Sequence, residues 1–222
     1  MCGRFQIKAD GKTEALMQRV NASGPLRYAD DVAPGACISI IRETAQGREV
    51  ADALWWLLLD RKTAKPDYRY PSFNSRSDRL EDPKALSYRP FRESRCIIVA
   101  SAFVEGLGDK KTYHRIELED RAIAFGGLYR TTTDPQTGQV LHSASIITLP
   151  PPDQWRTIHP KSMPLMLDFE NAALIDQWLG PDFRDVTVFS ALLQPQIRWP
   201  QLLTPIDRPS KWNPVGASFR IS

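Results

Sequence analysis

The run Cys96–Val104, CIIVASAFV, constrains the fold of this chain more than any other stretch. It is rich in β-branched residues and almost continuously apolar, so it reads as a single strand buried on both faces, ending at Glu105. Such a strand must be covered on both sides by other parts of the chain.

The flanking sequence supplies further strands. CISII at 37–41 and VADALWWLLL at 50–59 bracket the ETAQG turn. In TYHRIELE, His114, Ile116 and Leu118 alternate with Tyr113, Arg115 and Glu117, the period of a half-buried strand. AIAFGGLY and HSASIITL are two more, turned by DPQTG. Helical spacing predicts a helix over Lys12–Val20 with Gly24 beyond it, and a short one from Asp153 to Ile158. A third is predicted with Asp168 as its cap, Leu174, Ile175, Trp178 and Leu179 as one face, and Gly180 at its end. The proline-rich C-terminal portion reads as irregular and surface-hugging. The fold class is therefore α+β: a single domain over residues 1–222, with a mainly antiparallel, strongly curved sheet core flanked by short helices.

Length and composition agree with one domain, at 222 residues with 42% hydrophobic and 25% charged. No stretch approaches the roughly 20 apolar residues needed to cross a bilayer, and the N-terminus lacks a signal peptide's apolar region, so a cytoplasmic protein is expected. Three cysteines, Cys2, Cys37 and Cys96, are too few and too scattered for a disulfide framework or a metal site, and no cofactor is expected. The net charge of +3 is mild. Its distribution is uneven, with ten Lys or Arg against five Asp or Glu between residues 61 and 95, interleaved with Tyr68, Tyr70, Phe73, Tyr88 and Phe91. That mixture suits a single-strand binder, although composition alone favours a solvated basic loop over core aromatics.

Four residues could carry chemistry. Cys2 follows the initiator methionine; once Met1 is removed it offers an amine (pKa about 7.7 to 8.0) beside a thiol (about 8.5). An aldehyde meeting that pair forms an imine, which the thiolate closes to a thiazolidine. The alternative is a tolerated small residue in a tail. Glu105, ending a buried strand before a glycine turn, is either a solvated carboxylate or a desolvated acid–base group with a raised pKa. His159, in TIHPKSMPLML, is a general-acid candidate or a surface imidazole. Asn74, in SFNSRSDR, either donates amide hydrogen bonds to a substrate or marks a turn.

In order and spacing, MCGRF, DVAPG, FNSR, AFVEG and IHPKSMPLML resemble the SRAP family, the SOS-response-associated peptidases that shield abasic sites in single-stranded DNA. The resemblance is clearest over residues 1–167. It implies that Cys2 links covalently to the ring-opened aldehyde of an abasic deoxyribose, with Asn74 holding the amine, Glu105 moving protons and His159 assisting ring opening. Arg4 and Arg76 would contact phosphates, Thr148 would lie nearby, and Pro34 and Trp56 would wall the single-strand groove. The implied partner is single-stranded DNA containing abasic sites, bound by a monomer that is nucleoid-associated when on DNA. Removal of Met1 by the protein itself is a further implied activity. The chain departs from the family pattern at Asp31 (usually Asn), at Gly106 (usually aromatic), at LLLDRK after Trp56, and at Lys161–Ser162.

Two other readings predict different behaviour. Class II glutamine amidotransferase domains also begin Met-Cys-Gly, and there Cys2 would attack a glutamine amide with its own amine as base. A non-catalytic single-strand-binding module would use segment 61–95, bind reversibly and ignore Cys2→Ala.

Overall fold

The computed structural model describes residues 3–222; the predicted nucleophile Cys2 lies outside them. In chain order the strands are β1 (Arg4–Ile7), β2 (Ala22–Ser23), β3 (Ala29–Val32), β4 (Cys37–Thr44), β5 (Gly47–Leu54), β6 (Asn74–Arg76) and β7 (Arg95–Ala100). They continue as β8 (Ala102–Gly106), β9 (Tyr113–Leu118), β10 (Ile123–Thr133), β11 (Val140–Leu149), β12 (Met163–Pro164), β13 (Gln201–Ile206) and β14 (Phe219–Ile221). The α-helices are α1 (Gly11–Arg19), α2 (Tyr88–Glu93) and α3 (Ala172–Leu179).

The run at 96–104 is not one strand. It breaks at Ser101 into β7 and β8, which belong to different sheets. Ser101 is pinned at the break: its N–H donates to the Gln6 carbonyl at 2.7 Å and its hydroxyl accepts from the Lys8 N–H at 2.9 Å. Both halves are buried, Cys96 through Ala100 and Ala102 through Val104, so no polar residue but Ser101 marks the crossing.

The six-stranded sheet runs β14-β13-β9-β8-β1-β3 with every pair antiparallel. The eight-stranded sheet runs β12-β11-β10-β7-β4-β5-β2, with β6 joining β11 in parallel. A further pairing of Ser143 with Leu54 joins β11 to β5, so this sheet curls into a small barrel. The expected α+β class with a strongly curved, mainly antiparallel core is what the structure has. One core joins the sheets: the Phe5 ring meets Trp55 at 4.9 Å and Phe125 at 6.3 Å, and Phe103 meets Phe125 at 5.5 Å and stacks on Trp155 at 6.1 Å.

Several expectations are corrected. The C-terminal portion is not all irregular, since β13 pairs with β9 along its whole length and buries Leu203 and Ile206. Its prolines hid the pattern: Pro205 lies within β13, beside only three apolar ladder residues that could signal a strand. Helix α3 buries Ile175, Trp178 and Leu179 as predicted, but its cap is Asn171, whose side chain accepts from the Leu174 N–H at 3.1 Å. Asp168 instead pairs with Arg121 at 3.3 Å. Asp153 opens a 3-10 turn without capping it and pairs with Arg156. The strand expected through Leu59 stops at Leu54, and Trp55 turns inward to donate its indole N–H to the Phe73 carbonyl at 2.9 Å. No described helix is long and apolar enough to cross a membrane.

Candidate functional site

Glu105 ends β8. It lies two residues beyond Phe103 and therefore on the same inward side of the strand. Only 2% of it is exposed. Burial penalises the charged form, so the carboxyl is pushed from its ordinary 4.5 up to about 7. Of the two readings of Glu105, the structure matches the desolvated group with a raised pKa.

His159 reaches the same place by another route. The 3-10 turn Asp153–Trp155 carries Trp155, whose ring stacks on Phe103 and whose indole donates to Gln201 of β13 at 3.1 Å. The Trp155 carbonyl accepts from the His159 N–H at 2.8 Å, so the imidazole hangs from the aromatic core rather than from a surface loop. His159 is 8% exposed, which removes the surface-imidazole reading. Its Nδ1 stands 2.6 Å from the Gly106 carbonyl and 3.6 Å from Glu105 Oε2. A carbonyl oxygen only accepts, so Nδ1 carries the proton and Nε2 keeps its lone pair in the neutral ring. Burial lowers the imidazole pKa below its ordinary 6.5, opposed by the hydrogen bond to Gly106 and reinforced by the nearby Lys161 charge.

Glu105 and His159 face a hollow of about 330 Å³, lined also by Gly3, Arg4, Tyr113 and Pro209. Gly3 directly follows Cys2 in the chain. Gly106 is explained by its neighbour across the ladder: a Cβ there would lie 2.7 Å from the Tyr113 ring, its register partner. Tyr113 thus supplies, from β9, an aromatic ring beside the position where the family usually has an aromatic.

The other predicted residues fall into two groups. Asn74 and Arg76 lie on one face of β6, opposite Ile146 and Thr148 of β11, while Ser75 between them bonds Ser145 at 2.7 Å in the interior. Asn74 is a strand residue, not a turn. Arg76 is exposed and forks onto Asp78, and with Thr148, Lys161 and Ser162 it lines a second hollow of about 500 Å³. The segment 159–162 contributes to both hollows. Pro34 and Trp56 line neither hollow. Pro34 sits in the turn whose Gly35 N–H donates to the Trp55 carbonyl at 3.1 Å. Trp56 is 6% exposed, donates its indole N–H to the Asp67 carbonyl at 3.1 Å and meets the exposed Tyr68 ring edge-on at 5.0 Å. Tyr68, not Trp56, offers a free aromatic face.

The basic segment is also rearranged by folding. Asp67, Asp78, Asp82 and Glu93 hold Arg69, Arg76, Arg79 and Arg89 respectively. Arg95 is buried and donates to carbonyls of Phe91, Trp178 and Gly180. Phe91 is core, and the Tyr88 ring is covered by Arg92 at 3.8 Å. Among the described residues, no group of three or more His, Cys, Asp or Glu comes together as a metal site.

A curled mixed-sheet protein with a buried carboxyl and a buried imidazole in a hollow lined by Gly3 and Arg4 is the class defined so far. The family model of the SOS response associated peptidase (SRAP) matches residues 1–207, and the chain belongs to that family. Among curated relatives, the abasic site processing protein YobE of Bacillus subtilis is 29% identical over 205 residues, covering 88% of this chain and 89% of the relative. The abasic site processing protein HMCES of Xenopus tropicalis is 25% identical over 174 residues, covering 68% of this chain and 50% of the relative, so the match spans half that protein's length. Solved structures share the fold. A Bordetella bronchiseptica protein superposes with a TM-score of 0.70 at 20% identity, covering 93% of this chain and all of the other. One from Bacteroides thetaiotaomicron gives 0.69 at 20% identity, covering 89% of this chain and 88% of the other.

Sequence reasoning missed Tyr113 and Pro209 as lining residues. Tyr113 carried a signal, its outward position in an alternating strand, but nothing in a single sequence pairs it with Gly106. Pro209 lies in a segment that read as surface-hugging.

Proposed function

We propose that this protein captures abasic sites in single-stranded DNA through Cys2, exposed after Met1 is removed, and shields them as a thiazolidine adduct. The observation that carries the proposal is the Glu105–His159 pair, 3.6 Å apart in a hollow lined by Gly3 and Arg4. Relatives named abasic site processing proteins support the substrate class.

The chemistry needs proton transfer in both directions near neutral pH. Neutral His159 takes or returns the hydroxyl proton as the deoxyribose ring opens to its aldehyde. The Cys2 amine adds to the carbonyl carbon, and Glu105, still half-protonated near pH 7, gives its proton to the departing hydroxyl so that water leaves and the imine forms. The thiolate then adds to the imine carbon and the nitrogen regains a proton. One water is lost overall, and the free imine, which is prone to β-elimination, is consumed. Asn74 orients the amine, while Arg4 and Arg76 hold flanking phosphates. The same acid–base pair is proposed to release Met1; intact mass of wild type and Glu105→Gln, translated without a methionine aminopeptidase, checks this.

The test mixes processed protein with a single-stranded oligonucleotide bearing one abasic site and separates the products under denaturing conditions. Wild type is expected to form a stable adduct, and Cys2→Ala none. Equal adduct from Cys2→Ala would overturn the proposal, and purely reversible, salt-sensitive binding would favour a simple single-strand binder.

A further inference from the structure

The family match ends at residue 207, yet the chain continues into a loop that returns to the site. This loop is tied at its base. The Asp207 N–H donates to the Asn213 carbonyl at 3.0 Å, the Asp207 carboxylate accepts from Arg208 N–H at 2.7 Å and Asn213 Nδ2 at 3.0 Å, and Val215 N–H donates to Pro205 at 2.9 Å. Next to that base, Trp212 is held at a φ of 62°, a left-handed conformation unfavourable for a bulky residue. Strain of this kind persists only where surrounding contacts impose it, and it is found preferentially at functional positions. The strained residue places its indole N–H 3.2 Å from Asp31 Oδ1, and the other Asp31 oxygen accepts from the Arg4 guanidinium. Pro209 of the same loop lines the Glu105–His159 hollow together with Arg4.

We propose that Trp212 and Asp31 are positioning residues for Arg4: the C-terminal loop fixes Asp31, and Asp31 fixes the guanidinium of a residue that lines the same hollow as Glu105 and His159. Resting on the reading of Arg4 as a phosphate contact, this makes the loop decide where the phosphate next to the lesion sits relative to the acid–base pair. Asp31 has two donors, so it stays hydrogen-bonded through Trp212 when a phosphate draws on Arg4.

Single-turnover adduct formation with abasic single-stranded DNA tests this, read as a maximal rate and a half-saturating DNA concentration. Trp212→Phe keeps the ring and loses the donor; its maximal rate is expected to fall about fivefold, the worth of one ordinary hydrogen bond, with half-saturation changed less than about twofold. Trp212→Gly also relieves the backbone strain, and is expected to lose rate while unfolding close to the wild-type temperature. In an Arg4→Ala background neither change should slow the reaction further, because a residue acting through Arg4 has nothing left to position. A wild-type rate in Trp212→Phe, or an equal loss with Arg4 absent, would overturn the proposal. An inactive wild type would sink the functional reading instead. The network is then decided by the Trp212 indole N–H resonance, which must shift in Asp31→Asn and in Arg4→Ala; an unmoved signal refutes it.

Discussion

Replacing Glu105 by Gln keeps the shape of the side chain and removes its ionisation, which isolates what burial does to this carboxyl. The folded group holds its proton up to about pH 7, against an ordinary value of 4.5. Between those values the folded state binds more protons than the unfolded chain, so stability falls as pH rises. The contribution is fully present below the unfolded value and lost once the folded value is passed. The interval corresponds to about 3.4 kcal/mol, of which about 2.5 kcal/mol is lost between pH 5 and pH 8. Urea unfolding of wild type and Glu105→Gln at several pH values reads this directly. The variant should gain about 2.5 kcal/mol relative to wild type from pH 5 to pH 8, because all other titrating groups cancel in the difference. Parallel stability curves would show that Glu105 is not desolvated, and the acid–base role built on its proton would fall with it.

Other predictions concern the site and its support. With His159 neutral and accepting through Nε2, and burial holding its pKa below the ordinary imidazole range, adduct formation should decline only at more acidic pH than a free imidazole would give, and His159→Ala should be slower and lack that acid limb; an unchanged limb removes His159 from the mechanism. Arg76→Ala should make the salt dependence of single-strand binding shallower by about 0.7 in the log–log slope, as expected for one lost phosphate contact. Gly126→Ala would drive a Cβ to 2.6 Å from Leu165 Cδ2 and 3.2 Å from the Trp178 ring, and should cost about 1–3 kcal/mol in urea unfolding. Arg95→Ala strips the donor from the carbonyls of Phe91 in α2 and of Trp178 and Gly180 at the end of α3, and should cost about 3 kcal/mol, a loss that Arg95→Lys restores only in part.

Much of the secondary structure was legible because it depends on local period. The alternation in β9, the pair β10 and β11, and the buried face of α3 follow from side-chain spacing alone. Boundaries were less so: α3 is capped by Asn171 rather than Asp168 because Asp168 is claimed by Arg121, distant in sequence. The family resemblance, carried by MCGRF and four shorter motifs, was likewise present in the order of residues.

What the sequence by itself determined is which residue types are available: a cysteine behind the initiator, a carboxyl after an apolar run, few histidines. The tertiary structure decided what they become. The apolar run looked like one strand because burial on both faces erases alternation, and only the pairing of β7 with β10 and of β8 with β1 divides it between two sheets. That division carries Glu105 into the interior, where loss of solvent raises its pKa. It also sets Glu105 3.6 Å from a histidine that Trp155 suspends from the aromatic core, while the pairing of β13 with β9 brings Pro209 and Trp212 back toward Arg4. Desolvation and cross-chain contact depend on distances between residues far apart in sequence, and no local pattern encodes those distances.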